Sequence, residues 1–399
     1  HVAQHFKIYL SRMGKYKIKT LNGISETGLE KFGEKYEISE TMESPNGIIL
    51  RSASLHEMEF PHDLHCIARA GAGVNNIPIE RCAQQGIVVF NTPGANANAV
   101  KELAIASLFI SSRKIVEGIN WASKLSGVDI PKQVEKGKSQ FAGPEIKGKK
   151  LGVIGLGAIG VMVANAAVNL EMEVYGYDPY ISVDHAWGLS RAVKKENDLK
   201  HLFRECDYIT MHIPLTSETK GMLNKDAFDH MKKEVRIINL SRGELVNDDD
   251  MIDALNSGEV NTYVTDFPNE KMIGVPGVIA VPHLGASTPE SETNCAVMAV
   301  LQTKDFLENG NIKNSVNFPT CDMGVSVVKH RLTIAHKNIP KMLGQISAVL
   351  SEQNANIANM INRSRGDYAY TMVDLEEVIT DENVKRINSI DGVLRVRVI

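Results

Sequence analysis

Cysteine is scarce in this chain and never paired. Cys66, Cys82, Cys206, Cys295 and Cys321 are widely spaced, odd in number and form no C-x-x-C. That argues against a disulfide framework or a zinc ribbon and fits a reducing cytosol. Long apolar runs are missing too. The stretch Leu103–Ile110 is interrupted by Ser107 and is far shorter than the ~20 residues a bilayer requires, so no membrane partner is expected. The first residues, His1 to His5, show no basic start leading into an apolar stretch, which predicts no secretory signal. Strong charge of either sign is absent. A formal net charge of −4 gives no electrostatic reason to expect nucleic acid. His56, His62 and His65 lie close in sequence but have no acidic or cysteine partner at ligand spacing. They read as surface residues, and no metal is expected. There is no internal repeat and no low-complexity tract.

What is present is an ordinary globular composition, 43% hydrophobic and 23% charged over 399 residues, enough for two or three domains. Ile48–Leu50, Cys66–Ala70 and Gly86–Phe90 are short apolar runs ending in small or turn residues. Such runs alternating with helical segments predict a parallel α/β sheet. A helix is expected from Asn98, as N-cap, to about Asn120. The polar stretch Lys132–Lys150 reads as a surface segment. A second α/β series follows, with strands at Leu151–Ile154, Glu173–Tyr177, Tyr208–Ile213, Val235–Leu240, Thr262–Thr265 and Val278–Val281. Pro289–Asn309 reads as a helix. Asn311–Gly324 is polar and turn-rich and reads as a linker. The last 70 or so residues read β (Val325–Ala335), α (Pro340–Gln353), β (Ile357–Arg363), β (Tyr368–Asp374), α (Asp381–Ile390), β (Val393–Ile399). That order is the ferredoxin-like arrangement.

The strongest local signal is Leu151-Gly152-Val153-Ile154-Gly155-Leu156-Gly157-Ala158-Ile159-Gly160. A lone G-x-G-x-x-G is weak. Here a strand precedes it, a helical run follows, and a second strand ends in Tyr177-Asp178, 18 residues after Gly160. That is the full dinucleotide fingerprint. Gly155 permits the tight turn, Gly157 lets backbone approach a pyrophosphate, and Gly160 allows helix to pack on strand. The helix start, with Ala158 and Ile159, offers free N–H groups to phosphate. Asp178 can accept from the ribose hydroxyls and would repel a 2′-phosphate, which selects NAD over NADP.

An NAD-linked oxidation of a hydroxy acid needs a base, a group tuning that base, and a cation for the carboxylate and the developing carbonyl. Three candidates follow strands of the second series: Arg242 in Asn239-Leu240-Ser241-Arg242-Gly243, Glu270 in Asp266-Phe267-Pro268-Asn269-Glu270, and His283 in Pro282-His283-Leu284-Gly285-Ala286-Ser287-Thr288. Open α/β sheets bind ligands at such strand ends. Each residue alone is readily structural, as a paired surface Arg, a solvated Glu or a helix-capping His. All three together are harder to dismiss.

These runs resemble the D-2-hydroxyacid dehydrogenase family. The resemblance implies that Arg242, Glu270 and His283 are catalytic and that Asp266 holds the nicotinamide carboxamide. It also implies that Ala72, Ile213, Pro214, Leu240, Ser241, Gly285 and Ala286 lie along the cofactor. Thr265-Asp266-Phe267 is one residue shorter than the common Asp-Val-Phe form, which leaves the position of Glu270 less fixed. Leu50-Arg51-Ser52, Arg69–Asn76 and Asn91–Leu103 resemble the branch of the family that acts on D-3-phosphoglycerate. That implies substrate contacts from Arg51, Ser52, Ala72, Gly73 and Asn96. Arg51 would meet the phosphate, and Arg113, Lys114 or Lys138 are further candidate cations.

Residues 328–399 resemble an ACT domain. His336, Asn338 and Asn356 match positions that contact L-serine in feedback-inhibited members, which pair these domains between subunits and form tetramers. Lys341 stands where that family usually has Gly. The resemblance implies two Rossmann-like domains, a discontinuous substrate domain (1–91 and 289–315) and an inserted NAD-binding domain (92–288). A linker (316–327) and the ACT domain (328–399) would follow. It also implies an active site in the cleft, a homo-oligomer and a cytoplasmic location. Two rivals stay open: a dehydrogenase of glycerate or lactate, and an NAD-sensing interaction protein similar to the C-terminal-binding corepressors.

Overall fold

A computed structural model describes residues 15–328 and 330–399; the expectation for His1 to His5 lies outside these. The described residues form two compact units, one of residues from 15–95 with 292–399 and one of residues 96–291.

The first unit opens with strands β1 (Tyr16–Leu21), β2 (Tyr36–Ser39), β3 (Gly47–Leu50), β4 (Cys66–Arg69) and β5 (Val88–Phe90), in the order β2-β1-β3-β4-β5. Every pairing is parallel. Parallel sheets are covered on both faces, which is why β3 is buried at every position and reads as an unbroken apolar run. On one side Ile48, Leu50, Ile67 and Val89 pack with Ile77 and Cys82. On the other, Ile18, Ile49, Ala68 and Phe90 meet Ala299, Val300, Phe306 and Leu307 of the helix Pro289–Asn309.

That second core does not stop at the helix. It takes in Phe318 and Cys321, and then Ala335, Tyr370 and Met372 of a C-terminal sheet. The stretch read as a linker therefore packs as core over 312–321. Asn317 receives the Val89 N–H (2.9 Å) and donates to the Ile87 carbonyl (2.9 Å). A turn-rich composition does not separate a tether from a loop that docks its few apolar residues.

The C-terminal sheet is antiparallel, with β13 (His330–Lys337), β14 (Ile357–Arg365), β15 (Tyr368–Leu375) and β16 (Val393–Val398) in the order β14-β15-β13-β16. The helices Met342–Glu352 and Asp381–Asn388 complete a βαββαβ unit. Strand β13 starts five residues later than expected from Val325. A buried ion pair ties this sheet to the rest of its unit. Arg331 donates to both Asp374 oxygens (2.6 and 2.9 Å) and to the carbonyls of Asn309, Met323 and Gly324.

The second unit holds a seven-stranded sheet: β6 (Lys150–Ile154), β7 (Glu173–Tyr177), β8 (Lys194–Lys195), β9 (Tyr208–Met211), β10 (Val235–Asn239), β11 (Val260–Thr265) and β12 (Val278–Ala280). The order β12-β11-β10-β9-β6-β7-β8 is that of a doubly wound sheet, with the reversal between β6 and β9. The helix expected over 98–120 breaks in two, Ala97–Ser112 and Ile115–Ala122, and its N-cap is Asn96 rather than Asn98. The segment Lys132–Lys150 includes the last turns of a helix, Ile130–Gly137.

All five cysteines are free and buried, and burial pushes the thiols of Cys66, Cys82, Cys206 and Cys321 up to about 12, which keeps them inert. Among the described residues, no helix is long and apolar enough to cross a membrane.

Candidate active site

The reversal point is where the glycine loop leaves β6. Gly155 has φ +91°, and a Cβ there would stand 2.3 Å from the His212 carbonyl oxygen and 2.7 Å from Ile213 Cγ2. A Cβ on Gly160 would overlap the Gly155 carbonyl at 1.9 Å. These two glycines let β6, the loop and the helix Ala158–Asn169 close on one another. Gly157 caps that helix, and apart from its chain neighbours none of the described residues comes within 4 Å of where its Cβ would be. The first intrahelical bond is donated by Val161 to Gly157 (3.0 Å). The N–H groups of Ala158, Ile159 and Gly160 therefore face outward from the helix start without a helical partner. Asp178, at the end of β7, accepts from Leu156 N–H (2.8 Å) and Tyr180 N–H (2.8 Å). It thus fixes the loop, and its oxygens retain lone pairs for hydroxyl donors.

Beyond β9, Ile213 and Pro214 follow His212, whose ring is bonded to Thr210 Oγ1 (2.9 Å) and otherwise unpartnered at Nδ1. Burial pushes that imidazole down to about 4.

Beyond β10, Asn239 is wholly buried. Its amide donates to the Arg242 carbonyl (2.8 Å) and to Tyr263 Oη (3.2 Å), and its Oδ1 accepts from Ser241 N–H (3.2 Å). Ser241 in turn donates to the Met211 carbonyl (2.6 Å). With Leu240 buried beneath, this network aims the Arg242 side chain outward. Beyond β11 come Asp266 and Phe267, and beyond β12 comes His283. The Phe267 ring packs 4.6 Å from the His283 ring and 5.9 Å from the Arg242 guanidinium carbon, so one aromatic ring neighbours both residues.

Asp266 is 1% exposed. Its Oδ2 accepts from Gly285 N–H (3.2 Å), and its Oδ1 has no partner among the described residues. Burial raises its pKa, countered by that N–H and by His283 and Arg242. An orphaned acceptor at the floor of the site, beside Gly285 and the half-buried Ala286, fits a ligand that brings an N–H donor. A nicotinamide carboxamide has one. The residues present therefore fit NAD: a free helix start for phosphates, Asp178 for ribose hydroxyls, and Asp266 for the amide.

Glu270 is the exception. It is exposed in the turn after β11, and no hydrogen bond or ion pair among the described residues joins it to His283. The expected Glu–His pair is unmade in this conformation.

The first unit carries the other candidates. The 51–53 backbone is held from both sides: Asn22 Oδ1 accepts from Arg51, Ser52 and Ala53 N–H (3.3, 3.0 and 2.8 Å), and Asn76 donates to the Arg51 and Ala53 carbonyls (3.0 and 2.8 Å). Arg69 donates to the Arg51 carbonyl (2.9 Å) and to the Gly73 carbonyl, which links the Arg51-Ser52 loop to the Ala72-Gly73 loop. Asn91 donates to the Ala72 carbonyl (2.8 Å). The Arg51 guanidinium is not free. It pairs with Glu292 at 2.9 Å, with both side chains about half exposed (42% and 51%). Asn96, in the second unit, makes no side-chain cap bond to its helix. Sequence reading singled out the loops but assigned no task to Asn22, Asn76, Asn91 or Asn239. The signal for them is weak, because an Asn near a turn is common for reasons of turn geometry alone.

At the C-terminal domain His336 is 2% exposed, with both ring nitrogens engaged, on the Lys337 carbonyl (2.8 Å) and Thr371 Oγ1 (2.8 Å). Asn338 donates to the Gly366 carbonyl (3.0 Å), and Asn356 to Glu376 (2.6 Å). The register pairs His336 with Ala369 and Ile357 with Leu375. His336 and Asn338 thus lie at one end of β15 and Asn356 at the other, roughly 20–25 Å apart along the strand. One chain does not bring the three together.

Comparison with known proteins bears on the whole arrangement. Residues 105–285 match the D-isomer specific 2-hydroxyacid dehydrogenase NAD binding domain. The D-3-phosphoglycerate dehydrogenase of Methanocaldococcus jannaschii is 30% identical over 368 residues, covering 90% of this chain and 67% of that protein. The chain belongs to the D-2-hydroxyacid dehydrogenase family. The D-3-phosphoglycerate dehydrogenase of Synechocystis is 34% identical over 314 residues, 76% of this chain and 54% of that protein. This family member thus spans about half the length of that relative. A solved NAD+-bound 3-phosphoglycerate dehydrogenase of Entamoeba histolytica superposes with TM-score 0.57 at 27% identity, covering 76% of this chain and 99% of that one. In this family member the NAD-binding domain carries Gly155, Asp178, Arg242, Asp266 and His283.

Proposed function

We propose that the chain oxidises D-3-phosphoglycerate to 3-phosphohydroxypyruvate with NAD+. Bound NAD+ supplies a hydride acceptor for the C2 hydrogen. His283, through a ring nitrogen, takes the C2 hydroxyl proton, so that proton and hydride leave together and the C2–O bond becomes a carbonyl. Arg242 binds the substrate carboxylate and the developing carbonyl oxygen. Glu270 would hold the His283 ring in place and balance its charge once the two are paired, which requires the exposed turn carrying Glu270 to move toward the imidazole. Asp266 orients the nicotinamide amide. The first unit supplies the N–H groups of Ala72 and Gly73 for the carboxylate, and Arg51 with Ser52 for the phosphate, while Asn96 contributes a free amide. The observation that carries the reading is the grouping of Arg242 and His283 around Phe267, with both acting on Asp266, whose Oδ1 has no partner among the described residues.

The same reading makes the product a precursor for serine and the C-terminal βαββαβ unit an ACT module. With His336 and Asn338 at one end of its sheet and Asn356 at the other, an L-serine effector would require two copies of the module side by side in a homodimer or tetramer. We place the enzyme in the cytoplasm on its free, inert thiols.

NADH formation with D-3-phosphoglycerate tests the assignment. We expect turnover with the phosphorylated acid well above that with D-glycerate or D-lactate, and a loss of about 10²–10⁴-fold in His283→Ala. Equal turnover with the unphosphorylated acids would overturn the substrate. NAD binding with no turnover on any hydroxy acid would leave the sensing role.

A further inference from the structure

In the first unit, the βαββαβ domain and the five-stranded sheet border an open pocket of about 540 Å³. His62, His65 and Gln85 line it from one side, and Lys385, Asn388 and Arg395 from the other. It is not the substrate loop region. Arg51 follows β3 and Gly73 lies beyond β4, at the carboxyl edge of the parallel sheet, whereas His65 immediately precedes β4 and Gln85 precedes β5. The two regions lie at opposite edges, separated by a strand of four residues, roughly 13 Å.

The charge at this pocket is unbalanced. Arg395 spends its guanidinium on neutral acceptors, the carbonyls of Gln85 (3.1 Å) and His62 (2.7 Å) and the ring of His65 (3.1 Å). Arg397 on the same strand does likewise, on the carbonyls of Phe306 (3.0 Å) and Leu307 (2.8 Å). Neither arginine, nor Lys385, has an ion-pair partner among the described residues. The carboxylate that acts on Arg395 is Asp63, which itself lies 3.8 Å from His62. Arg397 opposes the charge on Arg395, and both arginines, after burial, keep the His65 imidazole neutral, at about 3. Arg395, opposed by Arg397 on its own strand and offset only by Asp63, shares the pocket wall with Lys385, and a bound anion relieves that excess of positive charge while accepting charge-assisted hydrogen bonds. The volume exceeds what a lone phosphate fills, and Phe60, Pro61 and Leu394 add apolar wall.

We infer that this pocket is an effector site for a small phosphate-bearing anion, held by Lys385 and Arg395 between the C-terminal domain and the amino edge of the first sheet. An occupant there bridges the two, and so couples the C-terminal domain to the sheet that carries the Arg51 and Gly73 loops.

Calorimetric titration of the full chain tests this, with inorganic phosphate and D-glucose 6-phosphate as separate probes. The Arg51→Met background removes phosphate capture at the substrate loops. Lys385 is exposed and its ammonium makes no hydrogen bond or ion pair among the described residues, so Lys385→Met leaves the packing of the fold untouched, whereas Arg395→Met removes bonds to Gln85, His62 and His65. We expect a binding event that survives Arg51→Met and weakens about ten-fold when Lys385→Met is added, the usual scale for losing one charge-assisted bond. Tighter binding of the sugar phosphate identifies an esterified ligand, and equal binding identifies free phosphate. Loss of all binding in Arg51→Met, or affinity untouched by Lys385→Met, overturns the site. The proposal stands apart from the dehydrogenase reading, since neither probe requires turnover.

Discussion

At the scale of single residues, the arrangement turns on which polar groups are already spoken for. Arg51 is held by Glu292 across a half-exposed pair, worth at most about 1 kcal/mol in such a setting. A phosphate displaces that carboxylate readily but not for nothing. Glu292→Gln is therefore expected to lower the KM for D-3-phosphoglycerate by up to about five-fold with kcat little changed. An unchanged KM in steady-state kinetics would mean that Arg51 does not meet the phosphate. His336 is the opposite case. Its sequence position matches an effector contact, yet its ring is consumed inside the domain. Asp266 shows what burial adds to a motif, because one oxygen is satisfied by the chain and the other has no partner among the described residues.

At the scale of elements, strand ends and helix starts do the positioning. The helix Met342–Glu352 begins at Lys341, which sits in the left-handed region at φ +67° and ψ 0° and makes no side-chain cap. The usual Gly of that position is missing, but the backbone keeps the conformation that favours Gly. Lys341→Gly is expected to stabilise the domain by about 0.5–1 kcal/mol, read as a higher urea midpoint at unchanged slope. A lower midpoint would show that the lysine stem packs usefully. The ion pair within the C-terminal sheet makes a larger claim. Asp374→Ala strands Arg331 without its counter-charge in a site where the guanidinium is fully buried, at a cost of about 3–5 kcal/mol. The double change Arg331→Met with Asp374→Leu restores most of that loss. If the double variant is as unstable as the single one in chemical denaturation, the carbonyl contacts of Arg331, rather than its charge balance, hold the domain in place.

At the scale of the molecule, two partly buried histidines, His212 and His65, set how the fold responds to acid. His212 titrates near 4 when folded, against an ordinary 6.5, and His65 near 3. Above pH 6.5 neither state binds these protons. Below it the unfolded chain takes them up first, so stability falls as pH drops from 6.5 toward 4. By pH 5, His212 alone costs about 2 kcal/mol. Urea midpoints measured at pH 7.5 and pH 5 should differ accordingly, and His212→Gln should flatten the difference. An identical slope in that variant would assign the acid sensitivity to other groups.

The sequence by itself determined the class of fold and the nucleotide site. Fully buried parallel strands leave an unbroken apolar signature, and the loop at Gly155 needs glycines that no side chain can replace, so both are written locally. The order of the last six elements was equally legible from alternating apolar runs. Only the tertiary structure decided the rest. It turned a turn-rich linker into core, because Phe318 and Cys321 find a partner surface that composition does not reveal. It split the helix expected over 98–120 at Ser112, and moved its cap to Asn96. It brought Arg242 and His283 to one aromatic ring while leaving Glu270 apart, and it set Arg395 against His62 and His65, more than 300 positions away in the chain. Contacts of that range depend on how finished elements pack, and no local pattern of residues records them.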